Sequence, residues 1–230
     1  MAKVKVKKQS TFIDMTAMSD VTVLLLTFFM LTSTFVKKEP ITVNTPASVS
    51  EIKVPESNSM TILVDETGKV FLSMDDPEHL AKTAQNVGAD YGISFTDKQI
   101  ESLRKVTSFG VPITQLPAFL DLRGDEQDKY MSDLLKTNSP QIGIPNDSIL
   151  SQKVFVETSV GKKTFNEFQN WVRRAREIDL SDGKKDLELV IKADEKTSYE
   201  VVKNVMNDLR ALRENRYLLV TNLRTASSDK

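Results

Sequence analysis

The sequence contains no cysteine and only one histidine, His79, among its 230 residues. Without cysteine the chain can form no disulfide bond, no thiolate nucleophile and no cysteine metal site. A single histidine makes a zinc site built from histidines or a Ser-His catalytic pair improbable. The lack of cysteine does not fix the compartment, because a domain large enough to bury a core needs no disulfides outside the cell.

The chain also lacks an excess of either charge. Lysine and arginine total 31 and aspartate and glutamate total 32, which gives a formal net charge of -1. A dedicated nucleic-acid binder would show a clustered basic excess, so we expect no nucleic-acid partner. The hydrophobic fraction of 40% is too high for a wholly disordered chain. The length suits one or two domains with a buried core.

The apolar residues are concentrated in one N-terminal segment. Residues 1–10 contain four lysines and no acid, and no charge occurs from Val21 to Val36. A helix rises about 1.5 Å per residue, so this uncharged stretch covers about 24 Å, whereas a bilayer core is about 30 Å thick. Extending the helix towards the N-terminus supplies the difference. We therefore predict a transmembrane helix over residues 15–36, preceded by a cytoplasmic tail over residues 1–14.

The basic tail also predicts the orientation of the chain. Lysines near a membrane span favour the cytoplasmic side, and long domains cross the membrane largely regardless of their charge. We expect a cytoplasmic N-terminus, an exported linker over residues 37–59 and an exported domain over residues 60–225. A cleaved signal peptide and a buried helix of a soluble protein are the alternatives. No small-residue cleavage site follows the apolar run, and soluble helices are rarely apolar on all sides.

Asp20 falls inside the apolar segment, near its N-terminal edge. A carboxylate in hydrocarbon costs about 2.5–3.5 kcal/mol on insertion scales, so such residues usually face a protein interior or a water-filled path and often relay protons. Desolvation disfavours the charged form, which makes reversible protonation possible. The alternative is that Asp20 lies at the interface and only caps the helix. Asp14, six residues earlier, is predicted to be interfacial.

Helical spacing places Asp20 on a stripe that includes polar residues. The stripe contains Leu24, Thr27 and Leu31, and Thr34 follows one turn later. Thr27 and Thr34 could each bond to a neighbouring helix or to the backbone of their own helix. One span cannot enclose an acid, so Asp20 needs partner helices from another protein, from a second copy, or from both.

The segment around Asp20 resembles the ExbD/TolR family of biopolymer-transport proteins. Residues 13–20 read IDMTAMSD and precede VTVLLLTFFML. The family pattern is I-x-x-T-P-x-x-D followed by an apolar run, and Ala17 stands where that pattern has proline. Residues 44–48, NTPAS, are similar to the family's N-L-P-A-S. Residues 189–220 follow its strand–helix–strand ending, so the resemblance covers roughly residues 10–75 and 160–225.

The resemblance implies a proton-driven motor subunit with Asp20 as the proton-carrying aspartate. It implies a single-span protein of the bacterial inner membrane that works as a homodimer in the lipid bilayer, beside an ExbB-like multi-span partner. A TonB-like protein would receive the motion and serve outer-membrane import, with protons as the coupling ion and no cofactor. The alternatives are a TolR-like role in envelope maintenance, a motor for another surface machine, and a membrane-anchored periplasmic scaffold with an inert span.

The exported part is predicted to be an α+β domain with a helical insertion over about residues 76–160. Residues 60–65 and 69–73 flank Gly68 and predict a hairpin. Asp76 and Pro77 form a typical helix start. Further helices are predicted at 96–106, 112–136 with a break near Pro117 and Gly124, 165–178 and 197–213, and strands at 186–192 and 217–223.

Several motifs that suggest chemistry have simpler interpretations. Residues 160–164, VGKKT, look like the end of a phosphate loop, but its first glycine would fall at Val156, so a turn is predicted. Asp75 and Asp76 are interpreted as part of a helix cap, and Trp171 as a core residue. The basic patch of Arg173, Arg174 and Arg176 is interpreted as a solvated face. We predict no catalytic site, no metal site and no enzymatic activity.

Overall fold

The computed structural model describes most of the chain in two compact units, Met1–Lys37 and Lys38–Lys230. The described residues are 15–32, 43, 45, 47–48, 58–137, 139, 142–146, 154–158, 161–183, 187–220 and 222–223. Asp14 and Thr34 lie outside these residues, as do the predicted cytoplasmic tail and most of the predicted linker.

The described residues of the first unit form the helix α1, over Met15–Thr32. Its 18 residues have no acid in the first turn and no base in the last turn. Among the residues that the structure describes, no helix combines the length and the apolar character needed to cross a membrane. The transmembrane span predicted over residues 15–36 is therefore not confirmed, and residues 33–36 of that range lie outside the described residues.

The second unit combines helices and strands, so the predicted α+β class is confirmed. The strands are β1 Ala47–Ser48, β2 Ser59–Val64, β3 Val70–Met74, β4 Val154–Thr158, β5 Gly161–Phe165, β6 Glu188–Ala193, β7 Tyr217–Leu219 and β8 Asn222–Leu223. The helices are α2 Pro77–Asp90, α3 Asp97–Lys105, α4 Leu116–Leu120, α5 Gly124–Lys136, α6 Glu167–Ser181 and α7 Tyr199–Ala211.

The main sheet has four strands in the order β3-β2-β6-β7. β2 runs antiparallel to β3 and parallel to β6, with Ile62 opposite Leu72 on one side and Ile191 on the other. β7 runs parallel to β6. β4 and β5 form a separate hairpin, and β1 pairs in parallel with β8.

The core lies against both faces of this sheet. Successive residues of a strand point to opposite faces, and Ile62 and Leu63 of β2 are both buried. Trp171 of α6 is fully buried and lies beside Phe109, with ring centroids 5.0 Å apart. The prediction that Trp171 is a core residue is confirmed. Burial of aromatic side chains of this size supplies a large part of the hydrophobic stabilisation.

Several local predictions are confirmed because they rest on contacts close in sequence. Gly68 takes a φ of +81° in the turn between β2 and β3, a conformation that glycine adopts without a steric cost. The side chain of Asp76 accepts hydrogen bonds from the backbone N–H groups of Glu78 and His79, at 2.9 and 3.3 Å. Asp76 thus satisfies donors that the first turn of α2 leaves open.

The segment before α6 differs from its prediction. The turn predicted over residues 160–164 is wrong for residues 161–164, which belong to β5 because they pair with β4 in a five-residue ladder, and residue 160 lies outside the described residues. Phe165 ends that strand and does not belong to the helix. Asn166 caps α6 by accepting the N–H of Gln169 at 2.7 Å. The predicted break in 112–136 falls between α4 and α5, with Pro117 in the first turn of α4 and Gly124 as the first residue of α5.

The three arginines of α6 do not form the solvated face predicted for them. Nη2 of Arg173 lies 3.2 Å from Oδ2 of Asp90, and Nε of Arg174 lies 2.7 Å from the same oxygen. Arg176 binds both carboxylate oxygens of Glu214, at 3.1 and 2.7 Å. These side chains are partly buried because their acidic partners come from α2 and from the segment after α7, elements distant in sequence.

Candidate functional site in the N-terminal helix

Asp20 lies in the second turn of α1. The helix begins at Met15, so Asp20 is not an N-cap residue and the capping alternative is wrong. Its side chain is exposed in the single chain. Within the described part of the chain, Asp20 forms no hydrogen bond and no ion pair. The helix therefore presents this carboxyl group outward, away from any partner among the residues that the structure describes.

The hydroxyl groups of α1 bond to the backbone of their own helix. The hydroxyl of Ser19 donates to the carbonyl oxygen of Met15 at 2.9 Å, and that of Thr27 donates to Leu24 at 2.9 Å. Thr22 and Thr32 donate to carbonyls four residues earlier. Of the two uses open to Thr27, the structure shows the bond within its own helix. Asp20 is thus the polar side chain of α1 that the described residues leave without a hydrogen bond.

The large apolar side chains of α1 are exposed on more than one side of the helix. Leu24 and Leu31, on the stripe of Asp20, are 62% and 87% exposed, and Phe29 on another side is 60% exposed. Large exposed apolar surfaces mark contacts with a membrane or with other proteins. The helix thus presents an acid among apolar side chains that are open to contact with another molecule.

The other polar clusters singled out in the sequence are structural. Nε2 of His79 lies 2.9 Å from the carbonyl oxygen of Ala175, inside the core. Asp75 accepts the hydroxyl of Ser59, and Asp76 caps α2, so the two acids do not face one another as a catalytic pair. In the residues covered by the structure, no group of three His, Cys, Asp or Glu side chains is placed to hold a metal ion.

One titratable residue was missed by the sequence analysis. Glu167, the first residue of α6, is only 2% exposed, and its Oε1 accepts the backbone N–H of Ile113 at 2.8 Å. Burial raises the pKa of Glu167 to about 7, although the Ile113 N–H and the indole of Trp171 favour the charged form. An acid at the start of a helix is common, so its sequence position gave no sign of this burial.

Comparison with known protein families gives a match that includes the site. The family model described as biopolymer transport protein ExbD/TolR matches residues 7–107. The matched stretch contains α1 with Asp20, the β2–β3 hairpin and the helices α2 and α3. Residues 7–107 are thus similar to the ExbD/TolR biopolymer transport proteins, in agreement with the resemblance that the sequence carries around Asp20. No curated protein and no solved structure gives a significant match.

The family of the matching model consists of energising subunits of biopolymer transport, which are typically anchored in the inner membrane. Its members generally work with ExbB/TolQ-type membrane partners and TonB/TolA-type proteins. The matched residues include 76–107, which the sequence analysis assigned to the insertion, and do not include the C-terminal resemblance. The assignment of the domains and the insertion stays a prediction.

Proposed function

We propose that this chain is the ExbD-like subunit of a motor in the bacterial inner membrane that is driven by the proton motive force, with Asp20 as its proton carrier. The single observation that carries the proposal is the position of Asp20: an exposed carboxyl group, without a partner among the described residues, on a helix whose other exposed side chains are mostly apolar. The ExbD/TolR match includes this residue. A non-enzymatic role is part of the proposal.

The exposed apolar side chains of α1 need an apolar environment. They are stabilised in lipid or against partner helices, and the carboxyl group of Asp20 then needs a protein or water-filled environment. We propose a single span with a cytoplasmic N-terminus and a periplasmic second unit. One proton crossing a potential of 100 mV supplies about 2.3 kcal/mol, enough to drive a conformational step of that size.

The proposed partners follow from the same requirement. A single helix cannot surround Asp20, so a second copy of the chain and an ExbB-like multi-span protein would enclose it. Protonation and release at Asp20 would be coupled to relative motion of these subunits. The periplasmic unit would pass this motion to a TonB-like protein that serves outer-membrane import.

The decisive experiment is Asp20→Asn, which keeps the shape of the side chain and removes its ionisation. In cells lacking the wild-type chain, we expect this variant to be inserted at the wild-type level and to abolish proton-dependent uptake of TonB-dependent substrates. Asp14→Asn is the matched control and should retain uptake. Full uptake with Asp20→Asn would exclude Asp20 as the proton carrier.

A TolR-like role is the second candidate, because the matching family model covers both types. Deletion of the gene separates the two: loss of nutrient uptake supports the ExbD-like role, and a leaky envelope supports the TolR-like role. Replacing α1 with an unrelated acid-free apolar span tests the inert-scaffold alternative. A scaffold would keep working after that exchange, whereas a motor would stop.

A further inference from the structure

The second unit contains a cleft of about 440 Å³ that is open to solvent. Its walls are the turn of the β2–β3 hairpin, residues 112–115, residues 142–146 and Glu167 at the start of α6. This volume lies within the range of about 300–1,000 Å³ that is typical of small-molecule sites. The N–H of Ile144 donates to the carbonyl oxygen of Val70 at 2.8 Å, which fixes one wall to the edge of the sheet.

Glu167 links the cleft to the core. Its side chain is almost fully buried, yet it contributes to the lining of the cleft. Its Oε1 accepts the N–H of Ile113, so the carboxyl group ties the 112–115 wall to α6. Trp171, one turn further along α6, also favours the charged form of Glu167, although its indole nitrogen has no hydrogen bond of ordinary geometry among the described residues.

Among the described residues, the charged and titratable groups around Glu167 are few. Lys69 on the hairpin lines the cleft, Asp90 ends α2 and Tyr91 follows it, and Arg173 lies on α6. Residues 112–115 and 142–146 contain no charged or titratable side chain. Asp90 is already bonded to Arg173 and Arg174, and burial raises the pKa of Tyr91, which stays neutral. Of these groups, Glu167 is the one that titrates near neutral pH.

We propose that Glu167 is a proton-binding site of the second unit, reached through the cleft, and that its ionisation state controls how firmly residues 112–115 are held against α6. In the closed state, residues 112–115 are held against α6, and the buried carboxyl group favours its neutral form. In the opened state, these residues have moved away from α6, and the hydrated carboxyl group favours its charged form. Raising the pH must therefore shift the population towards the opened state. The inference does not depend on the proposed motor function.

The coupling between proton binding and opening sets how strongly the ratio of opened to closed molecules depends on pH. At pH values between 4.5, the ordinary pKa of a glutamate, and about 7, the raised pKa of Glu167, Glu167 holds a proton in the closed state and loses it in the opened state. Over this interval the ratio of opened to closed molecules rises by up to about tenfold per pH unit. At lower and higher pH, Glu167 has the same protonation state in both states, so it no longer makes the ratio of opened to closed molecules depend on pH.

The first test measures hydrogen–deuterium exchange of the amide of Ile113 in the full-length chain in detergent micelles, corrected for the intrinsic effect of pH on exchange. In the wild type, protection should fall severalfold or more per unit between about pH 5 and pH 7. Glu167→Gln should give a flat profile, because the amide oxygen still accepts the Ile113 N–H. Glu101→Gln, at an exposed acid paired with Lys105, should match the wild type. A wild-type slope in Glu167→Gln would overturn the proposal.

A second test needs no variant, so it decides the proposal even if Glu167→Gln does not fold. Trp171 is the only tryptophan in the chain, and it lies one helical turn from Glu167. Its fluorescence in the wild type should change with a midpoint near pH 7. The infrared band of a buried protonated carboxyl group should disappear over the same range. A constant spectrum between about pH 5 and pH 8 by both methods would overturn the proposal.

Discussion

Gly110 lies directly against the ring of Phe71. A Cβ atom built on Gly110 would come within 1.9 Å of Cδ1 of Phe71 and 2.5 Å of Cε1. Phe71 is fully buried in β3, so its ring has no free space to enter. The contact brings the segment that includes Gly110 close to the sheet, and the N–H of Gly143 donates to the carbonyl oxygen of Gly110 at 2.7 Å. The close packing of one wall of the cleft against the sheet thus depends on Gly110 having no side chain.

Gly110→Ala should destabilise the second unit by about 3 kcal/mol, because a close-packed interior absorbs an added methyl group only by displacing the ring or the backbone. Urea unfolding of the full-length chain in detergent measures this change. Gly124→Ala is the matched control, since no atom lies within 4 Å of its new Cβ. That control should be neutral or stabilising by up to about 1 kcal/mol. Equal stability of the two variants would contradict the packing described here.

Asp76→Ala should weaken the start of α2 by about 1 kcal/mol, because two backbone N–H groups lose their acceptor. Asp76→Asn keeps a side-chain oxygen at the cap and should recover most of that loss. Thermal unfolding followed by circular dichroism compares the two variants. A loss of the same size in Asp76→Asn would show that the charge of Asp76, and not its capping hydrogen bonds, is responsible.

Asp90 should make the stability of the second unit depend on pH. Burial alone would raise the pKa of Asp90, but hydrogen bonds from Arg174 and Asn170 and the charges of Arg174 and Arg173 hold it below its ordinary value of 3.8. A carboxyl group with a lowered pKa contributes stability above that ordinary value, and the contribution is lost as the pH falls through the lower folded value.

Asp90→Asn should therefore cost about 2 kcal/mol at pH 7, because two partly buried arginines lose their anionic partner. The difference from the wild type should shrink at acid pH, below about pH 4. Denaturant titrations at several pH values provide the measurement. Glu101→Gln, which removes an exposed ion pair, should give no measurable change at any pH. A constant difference between Asp90→Asn and the wild type would argue that shape and not charge matters.

Thr27→Val should leave the proposed motor activity intact, because the hydroxyl of Thr27 is already satisfied by the carbonyl oxygen of Leu24. Asp20→Asn, on the same stripe, should abolish it. Proton-dependent uptake in cells that express equal amounts of each variant makes the comparison. Loss of uptake in Thr27→Val would mean that Thr27 bonds to a partner helix in the assembly.

The elements that the sequence predicts well depend on neighbouring residues. The hairpin around Gly68, the cap at Asp76 and the helix begun by Thr96 each carry their signal within a few positions. The ExbD/TolR resemblance was likewise carried by the short stretch ending at Asp20. Such signals act through local backbone geometry, so they do not depend on contacts with distant parts of the chain.

The features that the sequence does not predict depend on distant partners. Arg173 and Arg174 appear solvent-facing until Asp90, more than 80 positions earlier, is brought beside them. Residues 161–163 have the composition of a turn, and only pairing with β4 makes them a strand. Glu167 has the position of an ordinary helix-start acid, and its burial arises from Ile113 and Trp171. Tertiary contacts override local preference in each case.

The parallel pairing of β2 with β6 also sets the order in which the chain can fold. Ser59 lies opposite Glu188, so the two strands are separated by about 130 positions of chain. The β2–β3 hairpin can form as soon as it emerges during synthesis, but its other edge stays open until almost the whole chain is available. Closing so long a loop is slow, and until it closes the unpaired apolar edge of β2 can pair with other chains and aggregate. A chaperone that shields β2 is therefore expected to raise the yield of folded protein more than one that acts on α7.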